Sequence, residues 1–417
     1  MSRPALIVGV ALILRLIVAL GQDALAPYDP ARSDDSAWYL GNAYALVTGA
    51  QPPTMITDVS RLASPPLYFL FIGVPQAFLT PEGAVIAVRV VQAIMSALTV
   101  ALAFDMAQQL SGSRRAAALI GWALALHPAL IVESGQILTE TLFIFLLTAA
   151  VWLMLRRPPR SALVFALAAL TRAVALPLPI LLIGGLRLMR RVTWRETLVF
   201  LVIYAAGVGA WTLYSAARWD RLVIAGEGLS AFVYLGAAGW DDPEAVDAAL
   251  ADTGALVDGE RDFASAAASA ISADPVGYAA RRVSELIGAY LQPHGTTFFP
   301  GASLRDALAG WWAENRSLDG LIALTMRDSF WIKLAVYMVH YTGLLLGAFG
   351  FMRAVRQREA RSAALLIGSV IVCFTAAHLV LYALPRYLFP TTIFWWILAS
   401  CTFSVSNLHA TRPQPPL

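Results

Sequence analysis

Apolar and polar positions fall in long blocks along this chain, not in the short periods of a water-soluble fold. The apolar blocks approach the roughly 20 residues that a helix needs to cross a bilayer. Continuous runs of this kind exclude the alternating strands of a membrane barrel, and only helices or closed barrels satisfy their backbone in lipid. About ten helices are expected, near 4–21, 86–110, 116–132, 140–155, 161–172, 173–189, 196–217, 331–352, 362–384 and 387–404. The block 161–172 is too short to cross alone and is expected to run on past Arg172.

Composition agrees with this pattern. Of 417 residues, 59% are hydrophobic and 14% charged, and the mean hydropathy is +0.66. These values define an all-α polytopic membrane protein and exclude a soluble globule. The first apolar run follows Arg3 and is interrupted by Arg15, with no convincing cleavage site after it. It reads as a retained signal anchor. Cys373 and Cys401 lie inside apolar blocks and form no disulfide framework.

The net charge of +3 matters less than where the arginines stand. They cluster at 114–115, 156–160, 187–195 and 353–361, all in short connections. Positive residues of short loops stay on the cytoplasmic side, so all four clusters are assigned there, with both ends of the chain. Two segments then face outward. The first is the loop 22–85, in which Pro65–Phe78 is read as a juxtamembrane or re-entrant helix. The second is 220–330, with seven arginines against sixteen acids, a net charge of −9. Its alanine-rich runs 262–273 and 276–291 read as helices, broken by Pro293–Pro300. The resulting division is a catalytic module over 1–219, a small helical outer domain over 220–330, C-terminal helices over 331–404 and a cytoplasmic tail over 405–417.

Ionisable groups at membrane depth are costly and are candidate functional groups. Asp34 and Asp35 follow the first helix. Either suits general-base work beside an apolar wall, and either equally suits the cap of a helix beginning near Ser36. Glu140 stands at the mouth of a later apolar helix. It reads either as a charge on the helix dipole, with Thr139 as an alternative cap, or as a second working acid. His127 reads as a packed residue beside a proline kink. Arg61 and Tyr68 flank a rigid Pro65–Pro66 turn, where both a headgroup contact and simple snorkelling remain open. Arg89, Arg172 and Arg386 sit at outer ends of apolar blocks, where guanidinium geometry matches phosphate and where pairing with Glu133, Glu140 or Asp34 is the structural alternative. Walker, dinucleotide-binding and Gly-x-Ser-x-Gly motifs are absent.

The order of these motifs resembles bacterial membrane glycosyltransferases of the GT-C superfamily, and most nearly the dolichyl-phosphate-mannose protein mannosyltransferase-like family that includes the aminoarabinose lipid A transferases. An Asp-x-x-x-Tyr-x-x-x-Ala motif (Asp35, Tyr39, Ala43) is followed by Pro65-Pro66-x-Tyr68 and a helix led by Arg89 with Gln92, Ser96 and Thr99. Pro128, Thr139-Glu140-x-x-Phe143, Leu170-Thr171-Arg172 and Arg386-Tyr387-x-x-Pro390 complete the set. The resemblance implies a GT-C-type bundle and inverting transfer of a sugar from a polyprenyl-phosphate donor, at the outer face of a bacterial inner membrane. By that resemblance Asp35 is the base with Asp34 as runner-up, and Glu140 is the second acid. Arg61, Tyr68, Arg89, Arg172, Arg386 and Tyr387 are then the donor phosphate and lipid contacts. Lipid, glycan and protein acceptors stay open, and no nucleic-acid partner is expected. Some relatives bind a divalent ion near the first acid. Here Ser36 stands where better-known relatives carry glutamate, and no metal is expected. A flippase for lipid-linked sugars would use the same acids and arginines and is the alternative reading.

Overall fold

The computed structural model describes residues 3–25, 34–49, 65–220, 222–226, 229–238, 260–301, 303–314 and 316–403. Among them the regular structure is helical throughout. The organising element is α4 (Pro81–Ser111), about 46 Å long at 1.5 Å per residue. Thr80 caps it by accepting from the Gly83 amide, Pro81 opens it, and Gly112 in the left-handed region (φ +65°) closes it. Around α4 stand α1 (Arg3–Leu25), α3 (Pro66–Gln76), α5 (Arg114–Ala125) and α7 (Glu140–Met154). The short α2 (Asp34–Thr48) packs on α3. Next come α6 (Pro128–Glu133), α8 (Pro158–Ala169), α9 (Leu178–Leu188) and α10 (Trp194–Trp219), the last opened by a Thr193–Glu196 capping box.

The segment expected to face outward contributes α11 (Leu229–Ala238), α12 (Glu260–Ala273), α13 (Pro275–Leu291), α14 (Leu304–Glu314) and α15 (Leu318–Thr325). The helices expected over 262–273 and 276–291 are therefore present, and a short 3-10 turn at Thr296–Phe298 follows the expected break. The chain returns through α16 (Phe330–Arg356) and α17 (Arg358–Val380), then α18 (Pro385–Leu388) and α19 (Thr392–Ala399).

Each of the ten expected blocks is helical, though several are built from shorter pieces. Among the described residues, five helices are long and apolar enough to cross alone, at Pro4–Gly21, Pro81–Ser111, Trp194–Arg218, Phe330–Arg356 and Arg358–Val380. The blocks at 116–132, 173–189 and 387–404 are broken into shorter pieces, and α8 ends at Ala169 instead of running past Arg172. Prolines 128, 177 and 390 lie at the breaks, where they remove a backbone donor and force a turn. His127 is accordingly a cap rather than a mid-helix residue: its Nδ1 accepts from the Leu130 amide at 3.5 Å.

Two devices hold the bundle together at membrane depth. Arg15 on α1 is fully buried. It donates to Ser96 Oγ (2.7 Å) and to the carbonyls of Ala11, Leu124 and Ala125 (3.0–3.1 Å). The break at Pro128 leaves the α5 carbonyls free, and the negative end of that helix receives the guanidinium. On α16, Gly343, Gly347 and Gly350 face Trp396, Trp395 and Leu398. A Cβ at 347 would lie 2.9 Å from the Trp395 ring. Small residues at this spacing let two helix backbones approach, the main source of association where lipid supplies no hydrophobic drive.

Candidate active site

Three separate elements meet at one carboxylate, at one end of the bundle. Glu140, the first residue of α7, has no exposed surface. Arg386, from the turn opening α18, bonds to both of its oxygens. Arg172, at the end of α8, reaches Glu140 Oε1 at 3.2 Å. The Thr139 hydroxyl donates to Oε2 at 3.3 Å. Thr139 therefore binds the carboxylate rather than capping α7, for which its side chain makes no bond. A carboxylate this deep persists as an ion only when paired and hydrogen-bonded, and both of its oxygens are taken.

Arg386 also forms an ion pair with Asp35. Asp35 lies within the first turn of α2, since that helix begins at Asp34 and not near Ser36. Its carboxylate therefore faces Arg386 instead of capping, and its side chain is 56% exposed. Asp34 opens the same helix, and its side chain lies outside the described residues. Ser36 anchors this turn by donating to the Ile137 carbonyl at 3.3 Å, just ahead of α7.

Aromatic rings wall the centre. Tyr387 stacks on His378 at 5.3 Å, and Arg172 lies over both Tyr387 (5.5 Å) and Phe143 (5.7 Å). Tyr39 is buried between Trp38, Phe69 and Tyr68, whose rings lie 5.0–5.7 Å away. Burial pushes the Tyr39 phenol up, with Arg386 pulling against it, so the hydroxyl stays neutral beside the acids.

Tyr68 and Arg89 are engaged elsewhere. Tyr68 donates to Gln92 Oε1 at 3.1 Å, and Gln92 donates to the Ser134 and Gln136 carbonyls. Arg89 Nε donates to the Gly135 carbonyl at 3.0 Å. These two fasten the 134–136 turn and do not join Glu140. Arg61 lies outside the described residues. Asp35, Glu140, Arg172, Arg386 and Tyr387 do come together. Their elements are those assigned to the outer side by the charge rule, while Arg156 pairs with Asp105 at the opposite ends of α7 and α4.

Glu133 and His294 escaped the sequence reasoning as a pair. Glu133 is buried and His294 Nε2 lies 2.8 Å from its Oε2. Burial pushes the Glu133 carboxyl up, against the hydrogen bond from His294. The one available signal was a histidine between Pro293 and Gly295 in an acidic outer segment.

Among the described residues, no group of three or more histidines, cysteines and carboxylates forms a metal cluster. The protein is thus a polytopic helical membrane protein with an acid–arginine centre at one end of its bundle. Residues 31–176 match the model of the dolichyl-phosphate-mannose-protein mannosyltransferase family. The resemblance drawn from the motifs is borne out over that stretch, which contains Asp35, Glu140 and Arg172. Two crystal structures of ArnT from Cupriavidus metallidurans are similar to this chain. The one bound to undecaprenyl phosphate is 16% identical with a TM-score of 0.42, and the apo one is 17% identical with a TM-score of 0.41. Each alignment covers 93% of this chain and 77% of the other. Comparison with curated proteins yielded no match.

Proposed function

We propose that the chain is an inverting glycosyltransferase that moves a sugar from a polyprenyl-phosphate donor to a lipid, glycan or protein acceptor. The centre faces the outer side of a bacterial inner membrane, and 220–330 forms an outer domain over it. The observation that carries this reading is Arg386, shared between fully buried Glu140 and half-exposed Asp35 within reach of the family-matched stretch.

The roles follow from what each group has free. Glu140 has no open oxygen, so it positions Arg172 and Arg386 rather than taking a proton. Asp35 is the exposed acid and suits the general base. The acceptor hydroxyl or amine attacks the anomeric carbon and passes its proton to Asp35. The bond from that carbon to the phosphate oxygen breaks, and polyprenyl phosphate leaves. Arg386 and Arg172 offset the charge gathering on the phosphate. Donor phosphate competes with Asp35 for Arg386, so donor binding releases the base from its ion pair. This order places the donor before the acceptor. Tyr387 and the aromatic wall accommodate the first isoprene units.

Mass spectrometry of lipid retained through purification tests the reading. Polyprenyl phosphate or its sugar conjugate is expected; bulk phospholipid alone would count against it. A flippase would instead move labelled polyprenyl-phosphate sugar across liposomes with no acceptor present.

A further inference from the structure

A cavity of about 380 Å³ opens at the start of the membrane-spanning helix α16 and shares no lining residue with the centre. Leu304, Met326 and Phe330 line it with apolar surface, and Arg327, Asp328 and Lys333 line it with charge. Two cations against one acid leave it positive. Lys333 is the only lysine in the chain, which otherwise relies on arginine.

A lysine near the end of a span ordinarily snorkels its ammonium to water. Lys333, in the first turn of α16, is instead 1% exposed, and its Nζ donates to the Gly301 carbonyl at 2.6 Å. Gly301 presents that carbonyl from the left-handed region (φ +85°), which glycine enters without strain. The ammonium is thereby kept on the cavity wall and out of bulk solvent. Arg327, exposed in the turn between α15 and α16, borders the same space.

The surfaces on either side of the cavity point to its occupant. On α16, Trp331, Met338, Leu345 and Met352 recur every seventh residue, share one face and are all exposed. On a helix that crosses a bilayer such a stripe meets acyl chains, and tryptophan is enriched where the bilayer meets water. On α15, Leu318, Ile322 and its cap Met326 recur every fourth residue and are exposed as well. That helix is too short to cross, and its stripe ends at the cavity. The positive cavity thus lies between two apolar stripes, one of them on a membrane span. We propose that it binds a phospholipid: Lys333 and Arg327 take the headgroup phosphate, and the acyl chains lie along the Trp331–Met352 stripe. Phosphate brings the ammonium an opposite charge, which the neutral Gly301 carbonyl lacks. The bound lipid fastens α15 to the edge of the bilayer, whatever reaction the centre performs.

Because the chain has one lysine, labelling with an amine-reactive ester, followed by digestion and mass spectrometry, reads this site alone. The full chain, stripped of lipid in detergent, is labelled in four conditions: without addition, with dioleoylphosphatidylglycerol, with dioleoylglycerol, which lacks the phosphate, and with inorganic phosphate at the same concentration. The phospholipid is expected to slow labelling of Lys333 by the factor 1 + [L]/Kd, roughly tenfold once lipid exceeds its Kd by about ten. Dioleoylglycerol and inorganic phosphate leave the rate near that of the lipid-free protein. Arg327→Gln, at an exposed position, weakens the apparent lipid affinity by about 10-fold, the factor carried by one charge-assisted hydrogen bond. Equal protection by dioleoylglycerol overturns the role of the phosphate, and equal protection by inorganic phosphate overturns the role of the lipid. Absence of protection by the phospholipid overturns the site altogether, as does a Lys333 that stays unlabelled without lipid, since the cavity is then closed to ligands. An affinity unchanged in Arg327→Gln overturns the pairing of that residue with the phosphate.

Discussion

Arg15 and Arg386 both stand against the apolar core, yet they are kept there by opposite means. Arg15 is wholly enclosed and bonded to a hydroxyl and three carbonyls. Its partners are neutral, and no path to water remains. Arg386 keeps 24% of its side chain exposed and is bonded to two carboxylates, one of them buried and one at the surface. The first arrangement is closed and fastens three helices. The second is open on one side and holds opposed charges within reach of solvent. Burial of an arginine in a membrane protein therefore does not by itself mark a working site; the charge of its partners and its access to solvent separate the two cases.

Five substitutions, one of them used only in a double variant, break or sharpen this contrast, and the widest effect belongs to the open site. Asp35→Asn is expected to reduce transfer by about 10²- to 10⁴-fold, the span of general-base contributions. Its helical content and elution in detergent should match wild type, because the side chain is half exposed. A variant that transfers at the wild-type rate removes Asp35 from the mechanism. Arg386→Leu is expected to lower kcat by about 10²- to 10³-fold, as loss of one preorganised charge stabiliser does. It also strands Glu140, at a stability cost of about 3–5 kcal/mol. Thermal unfolding followed by circular dichroism reads that cost. Pairing it with Glu140→Gln restores stability and leaves transfer low; recovery of both would make Arg386 merely structural.

The closed site behaves differently. Arg15→Leu removes the donor shared by Ser96 and the Leu124 and Ala125 carbonyls and is expected to cost about 1–3 kcal/mol. Turnover per folded molecule stays unchanged, and a fall in kcat at full folding would erase the distinction drawn here. The smallest effect is expected at the opposite end of the bundle. Asp105, 45% exposed, pairs with Arg156; Asp105→Asn should shift stability by less than about 1 kcal/mol, without effect on transfer.

Much of the centre is legible in the chain because charge is scarce there. Asp35, Glu140, Arg172 and Arg386 each interrupt or border an apolar block, where an ion needs a reason. Pairing of the arginines with Glu140 is among the readings the sequence leaves open; the pair between Arg386 and Asp35 is not. Arg15 also interrupts a block, but its partners are backbone carbonyls freed by a helix break, and carbonyls leave no mark in sequence. Tyr68 and Arg89 lie in motifs yet serve the turn at 134–136. His294 stands 161 residues from Glu133, so only the folded chain shows that they meet. The breaks at Pro128, Pro177 and Pro390 shorten blocks that hydropathy alone reads as continuous, because averaging over a window hides a single residue that cannot donate.

The ion pair between Asp35 and Arg386 spans 351 residues of sequence. At bacterial or eukaryotic synthesis rates, roughly 20–70 s separate the emergence of the two. The centre is therefore closed by a contact between an early and a late stretch of the chain, and Glu140 receives its second arginine only once residue 386 has been made.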